Sequence, residues 1–258
     1  METIGKNMES NKIAIIYTTF LRNKLSLETI QSIQPYLSEK MILLIGDQNK
    51  VGQGINHKYT NCKHTIYYEL PFDCGLSYGR NYLVQIAQKM GIKYCLLTAD
   101  SIKFTEKYNF DPIINFLEEK EERGIVGFEL LDRQYWVYNI DLIPGLFFKL
   151  TKNNLKVVNN QEIQFTGCEV ITNFFLAKTK CLIDNKWDNE LKLAEHEDFF
   201  WRLKQTKYKV FWTNYIKAQY INQKNTEYNK YRRRLYYEFK QKLQQKYSIT
   251  GWLQYEKR

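Results

Sequence analysis

The residues of this 258-residue chain best suited to chemistry gather in two short stretches. Glu195-His196-Glu197-Asp198 sets four titratable side chains in a row, each of a type that can accept a proton from a hydroxyl. At helical spacing, Glu195, Asp198 and Arg202 fall on one face, while His196 and Glu197 diverge from it. Asp198 is therefore equally suited to pairing with Arg202, and Glu195 to the start of a helix, where the dipole favours an acid. The second stretch is Thr98-Ala99-Asp100-Ser101, directly after an apolar run. A carboxylate there can hold a divalent cation against a phosphate-bearing ligand. A lone one binds a hard cation poorly unless ligand oxygens and water complete the shell. Further polar candidates are Thr18-Thr19, Asp47 and Arg80, the last offering a fork of donors to an anion.

The elements around these residues follow from periodicity. Residues 12–19 (KIAIIYTT), 41–45, 65–70, 94–97 and 125–130 read as buried strands. Helical spacing marks residues 25–37, with Pro35 limiting the last turn, and residues 75–90, where Tyr82, Leu83, Ile86, Ala87 and Met90 share a face and Gly91 is the stop. Residues 112–123 read as a helix stopped by Gly124. Strands alternating with helices predict βαβ units and a mainly parallel sheet, with ligands bound beyond the carboxyl ends of its strands. Thr18-Thr19, Asp47 and Asp100 all close predicted strands and are expected to converge on one edge. The second half is less regular, with short strands at VYNIDLI, LFFKL and LKVV. Beyond them come a strand over 173–179, a helix over 194–204, a strand over 209–213 and a basic, Tyr-rich amphipathic helix over 227–247. No internal repeat or low-complexity linker marks a domain boundary.

Composition narrows the class. A hydrophobic share of 44% and an aromatic share of 16% can fill a sizeable core. No stretch approaches the roughly 20 apolar residues of a membrane-spanning helix, and residues 1–12 lack the apolar centre of a signal peptide. Five scattered cysteines without CxxC spacing argue for reduced, mostly buried thiols. A cytoplasmic location is the expectation. Residues 217–258 carry eleven Lys/Arg against three Glu, most of the net charge of +10. Such a tail suits a nucleotide, an anionic membrane, an anionic glycan or nucleic acid; its plainer reading is a solvated helix face.

Several segments also resemble one family. TADSIKF resembles the aspartate motif of GT-A glycosyltransferases, commonly DADDI or DDD. GLSYGRNYLVQIAQKMGIKYCLL resembles the GLSxGRN helix and following strand of the β-1,4-N-acetylgalactosaminyltransferase-like group. NFFLAKTKCLIDNKWDNELKLAEHEDFFWRLK resembles that group's NFFLART…WD…H.EFF stretch, and is similar to the EDxDLxxR block of glycosyltransferase family 2. IIYTTFLR resembles the opening VIPTYNR strand, so the likeness covers roughly residues 12–204, without the basic tail.

The resemblance implies an α/β, Rossmann-like GT-A fold with a mainly parallel sheet flanked by helices and a C-terminal basic helix. It implies one domain, with a nucleotide-sugar-binding half (12–130), an acceptor and catalytic half (131–215) and the helical tail (216–258). The implied activity is transfer of a sugar, with inversion, from a nucleotide-sugar donor (UDP-sugar favoured) to a glycan or lipid-linked acceptor. Donor-binding positions would be Thr19, Arg22, Asp47, Arg80 and Asp100, with Mn²⁺ or Mg²⁺ at Asp100. Trp187, Asp188 and Glu195 would face the acceptor, and Asp198 or His196, with Glu197 third, would be the base. Asn173, Phe174 and Phe175 would floor the site. Tyr135, Trp136 and Trp212 are candidates for stacking on sugars, or simply core.

The sequence departs from the family pattern at the aspartate motif. Either Thr98 replaces the first acid, or Ala99 and Ser101 replace the outer two, so only Asp100 remains. This motivates the alternative of a degenerate or non-catalytic GT-A-like protein whose tail (YRRRLYYEFK) binds nucleic acid or an anionic surface. Nucleic acid is the weaker partner, because it explains neither GLSxGRN nor EHED. A nucleotidyltransferase would want a Gly-rich loop where the first strand leads into TTFLRN.

Overall fold

The computed structural model describes residues 12–55, 62–132, 137–152, 157–160, 163–222 and 226–255. Strand β1 (Ile13–Thr19) is buried along its whole length and serves two cores. Ala14 and Ile16 face one side with Leu83, Val84 and Ala87, whereas Ile13, Ile15 and Tyr17 face the other with Ile30, Ile33 and Phe116. This is the alternation expected of a central strand covered on both faces. Helix α1 (Asn23–Ile33), followed by a short 3₁₀ turn over Gln34–Tyr36, covers one face together with α3 (Asp111–Glu118). Helix α2 (Gly75–Lys89) covers the other.

The main sheet has the order β3-β2-β1-β4-β12-β6-β13-β10-β9, with β5 (Ile102–Lys103) paired to β13. Strands β2 (Met41–Asp47), β3 (Thr65–Glu69) and β4 (Tyr94–Leu97) join β1 in a wholly parallel run. β6 (Arg123–Leu131) and β13 (Lys209–Tyr220) continue in the same direction. β12 (Phe175–Lys178) and β10 (Ile163–Cys168) run against it, with β9 (Val157–Asn160) at the edge. The sheet is thus mostly parallel, and Thr19, Asp47 and Asp100 lie at the same edge, as the pattern predicts. A smaller sheet of β11 (Val170–Ile171), β7 (Val137–Ile143), β8 (Phe147–Lys152) and β14 (Leu253–Tyr255) stands beside it. Two further helices, α4 (Thr179–Asp184) and α5 (Glu195–Lys204), follow β12.

The helix expected over 112–123 ends at Glu118. Arg123 and Gly124 open β6 instead, and Gly124 is no stop signal: a Cβ there would come within 2.8 Å of the Cys181 sulfur. Arg123 reaches back from the strand to the Phe116 carbonyl (2.9 Å) and Glu119 (2.6 Å), tying the start of β6 to the end of α3.

Helix α6 (Thr226–Tyr247) is no solvated appendage. Phe239 and Leu243 are buried in the same core as α2 and α5, and Tyr247 packs edge-on against Phe148 at 5.0 Å. The boundary expected at residue 215/216 falls inside β13. Cys95, Cys168 and Cys181 are buried, and all five cysteines are free thiols. Among the described residues, no helix is long and apolar enough to cross a membrane.

Candidate functional site

The segments GLSYGRN and WDNELKLAEHED are far apart in sequence but dock directly on one another. Asn81 holds Trp187 from both sides, its amide donating to the carbonyl at 2.7 Å and its oxygen accepting the N–H at 3.0 Å. Ser77 Oγ donates to the Leu191 carbonyl at 2.6 Å. Arg80 is buried and pairs with Glu195 at 3.1 Å. Gly79 allows α2 to approach β1, since a Cβ there would meet Thr18 Cγ2 at 2.9 Å. Before α5, Ala194 adopts φ +62°, a left-handed conformation uncommon for a residue with a Cβ, and so turns the chain to aim Glu195 at Arg80.

At the neighbouring strand end, Arg22 Nη1 donates to Asp100 Oδ1 at 2.8 Å. Burial pushes the Asp100 carboxyl upward, and the Arg22 guanidinium opposes that shift. Tyr228 of α6 lies under Arg22, with its ring centre 4.1 Å from the guanidinium carbon. Arg232, one turn further along α6, donates to the Tyr228 hydroxyl at 2.8 Å and lies within electrostatic reach of Asp100, Glu195 and Arg80. Of these groups, Tyr228 and Arg232 border a cleft of about 50 Å³, which is also lined by Phe20, Gln48, Gly75, Lys192 and Leu235. The basic helix, which the sequence suits equally to an anionic partner or to solvent, therefore covers the ends of the parallel strands. Nothing in the local sequence around Tyr228 and Arg232 signals the long-range contacts that bring them beside Arg22 and Asp100.

The four acids and bases of α5 have different fates. Asp198 is wholly buried and saturated: Arg202 donates to it twice, at 2.9 and 2.8 Å, Tyr247 at 2.7 Å, and Lys246 lies at 2.6 Å. It ties α5 to the far end of α6 and does not have the open geometry expected of a base. His196 Nδ1 is 3.0 Å from Asn173 Oδ1, and its ring packs edge-on to Phe200. Glu197 is also buried, but burial, with Glu195 close by, pushes its carboxyl up to about 7; its own backbone N–H and Arg232 only partly offset this. It borders an open cleft of about 400 Å³ lined by Tyr236, Lys240, Trp252, Leu253 and Tyr255. The rings of Tyr236 and Trp252 lie 5.3 Å apart.

Other expected positions serve the fold. Thr19 is buried and hydrogen-bonded to the Ser26 hydroxyl. Asp47 accepts four donors: the backbone N–H groups of Asn49 and Ile55, the Asn49 amide and the Tyr67 hydroxyl, at 2.6 to 3.0 Å. Its carboxylate therefore organises the 48–55 loop and keeps no side free for a base or ribose. Trp187 is buried and stacked on Phe199 at 4.4 Å, and Asp188 receives the Glu190 N–H and Lys246. Neither lines the two clefts bordered by α6. Phe174 and Phe175 are core, and Trp212 packs against it. Tyr135 and Trp136 lie outside the described residues.

The donor set at Asp100 does not fit a divalent cation. Its neighbours are the hydroxyl residues Thr98 and Ser101, its own oxygen already binds Arg22, and Arg232 adds a second positive charge nearby. Among the described residues, no three His, Cys, Asp or Glu side chains group as metal ligands.

No protein-family profile matches the chain. In sequence it is 26% identical to human beta-1,4 N-acetylgalactosaminyltransferase 1, over 73% of this chain and 35% of that protein. It therefore spans about a third of the length of that relative. Among solved structures, residues 1–349 of Staphylococcus aureus TarS in complex with UDP-GlcNAc superpose with a TM-score of 0.57 at 15% identity, covering 83% of this chain and 59% of that one. GalNAc-T7 with UDP, GalNAc and Mn²⁺ superposes with a TM-score of 0.65 at 10% identity, covering 84% and 45%. The chain has the GT-A glycosyltransferase fold. In GT-A terms, the resemblance carried by the GLSYGRN and EHED segments holds, and those segments form one continuous wall beneath α6.

Proposed function

We propose that the chain is a glycosyltransferase that takes a sugar from a nucleotide-sugar donor, a UDP-sugar by its likeness to TarS and GalNAc-T7, and passes it with inversion to a glycan or lipid-linked acceptor. The observation that supports this most is the position of Glu197. It lies on the first turn of α5 beside Glu195, within electrostatic reach of Arg232, and it lines the aromatic cleft.

In this reading the donor lies at the strand ends under α6 and the acceptor in the cleft with Tyr236, Trp252 and Tyr255, whose flat rings suit sugar faces. Glu197 takes the proton of the acceptor hydroxyl as that oxygen forms its bond to the anomeric carbon. The bond from that carbon to phosphate oxygen breaks, and its electron pair leaves with the nucleoside diphosphate. A carboxyl poised near neutrality suits this task, since a base works best when its pKa lies near the working pH. Exposed Lys230 and Arg234 on α6 offer a peripheral contact to an anionic membrane holding a lipid-linked acceptor.

The test is incubation of the protein with a panel of UDP-, GDP- and dTDP-sugars, following nucleotide release and thermal shift. Release from one donor, lost in Asp100→Ala, is the expected result. Silence toward every donor overturns the reading.

A further inference from the structure

Arg22, Arg80 and Arg232 gather at the strand ends covered by α6. Arg22 pairs with Asp100 and Arg80 with Glu195, so these four groups cancel. Arg232 is the third: it is exposed, among the described residues its hydrogen bond runs to the neutral Tyr228 hydroxyl, and it forms no ion pair with a carboxylate although Asp100, Glu195 and Glu197 lie within electrostatic reach. Arg22 also keeps a buried Nε with no hydrogen-bond partner among the described residues. Two guanidiniums around a single acid repel a dication, but they form a fork suited to a polyanion.

We propose that Arg22 and Arg232 clamp the diphosphate of the donor, so that the C-terminal helix supplies the positive charge that strand-end acids would otherwise recruit as a metal. This rests on the glycosyltransferase reading above. The cleft of about 50 Å³ is far smaller than a ligand pocket of several hundred Å³, so donor binding moves the first turns of α6 outward. Phe239 and Leu243 keep the rest of the helix anchored in the core. Tyr228 then leaves the face of Arg22, and Arg232 closes on the phosphate oxygens. When the sugar departs, both guanidiniums face the diphosphate as one further negative charge develops on its terminal phosphate oxygen.

The experiment measures equilibrium binding of UDP, uridine and inorganic pyrophosphate to the full chain, in EDTA and in Mn²⁺, for the native protein, Arg232→Gln and Arg232→Lys. UDP affinity is expected to differ less than about threefold between EDTA and Mn²⁺. It should fall about 10- to 100-fold in Arg232→Gln and less in Arg232→Lys, with uridine binding unchanged. Should Arg232→Gln fail to fold by circular dichroism, Arg232→Lys, which keeps the charge and the helix propensity, carries the comparison. UDP binding that is tenfold weaker in EDTA, or equal in the native and Arg232→Gln chains, overturns the clamp and leaves the glycosyltransferase reading intact. Pyrophosphate bound in an Arg232-dependent way without UDP binding keeps the clamp and removes UDP as the donor nucleotide. Binding of neither overturns the clamp.

Discussion

Asp198 and Glu197 are neighbours on one turn of α5, both buried, and their surroundings could hardly differ more. Asp198 is met by Arg202, Lys246 and Tyr247. Glu197 has no comparable set of cations, and its carboxyl is pushed up to about 7. The same contrast separates Asp47, with four donors, from Asp100, with one guanidinium. A carboxylate whose acceptor sites are all filled holds the fold together; one left short of partners is available for chemistry. Residue type does not distinguish the two, and neither does burial.

The sharpest way to break the comparison is to neutralise both neighbours. Glu197→Gln keeps the shape and removes the proposed base, so turnover is expected to fall about 10²- to 10⁴-fold with donor affinity retained. Equal activity in a nucleotide-release assay would return the role to His196. Asp198→Asn leaves Arg202 and Lys246 facing a neutral group in a buried site, and is expected to lower stability by about 3 kcal/mol in a urea titration. A variant as stable as the native chain would contradict the structural role.

A pH series then sharpens the difference. Between about pH 4.5 and 7 the folded chain keeps a proton on Glu197 that the unfolded chain has released. Stability therefore falls as pH rises through that window, by about 3 kcal/mol at most. Glu197→Gln should flatten the curve, and an unchanged slope would show that the carboxyl titrates normally. The smallest effect is expected at Asp47→Asn, which weakens the acceptor of four donors by about 2 kcal/mol without changing the catalytic pH profile. A large loss of donor affinity in a folded Asp47→Asn protein would instead place it in the nucleotide site.

Much of this architecture is legible in the amino-acid order. The parallel half is readable because each strand is a continuous apolar run closed by polar residues, as in IAIIYTT and MILLIGD, and the helices between carry clear apolar stripes. The convergence of Thr19, Asp47 and Asp100 follows from that topology alone. What escaped is the use made of those residues. Asp47 looks like a ligand contact until Tyr67 and Ile55 are seen filling its oxygens, and neither partner is adjacent in sequence. Trp187 looks like an acceptor platform until Asn81 and Phe199 enclose it. Helix α6 reads as basic and Tyr-rich, which fits a solvated face as well as a lid; only the burial of Phe239 and Leu243 distinguishes them. At Arg123 the side chain bonds backward to the preceding helix, although its backbone has already become a strand.

Because α6 docks across the ends of strands formed far earlier in the chain, occupancy of the cleft and attachment of the helix are thermodynamically coupled. If the proposed clamp forms, a nucleotide bridging Arg22 and Arg232 replaces the Tyr228–Arg22 contact as the link between the last helix and the sheet, and loosening that helix weakens the nucleotide by the same factor. Protection of the α6 amides from hydrogen exchange thus becomes a gauge of ligand binding, read at a distance from any sugar.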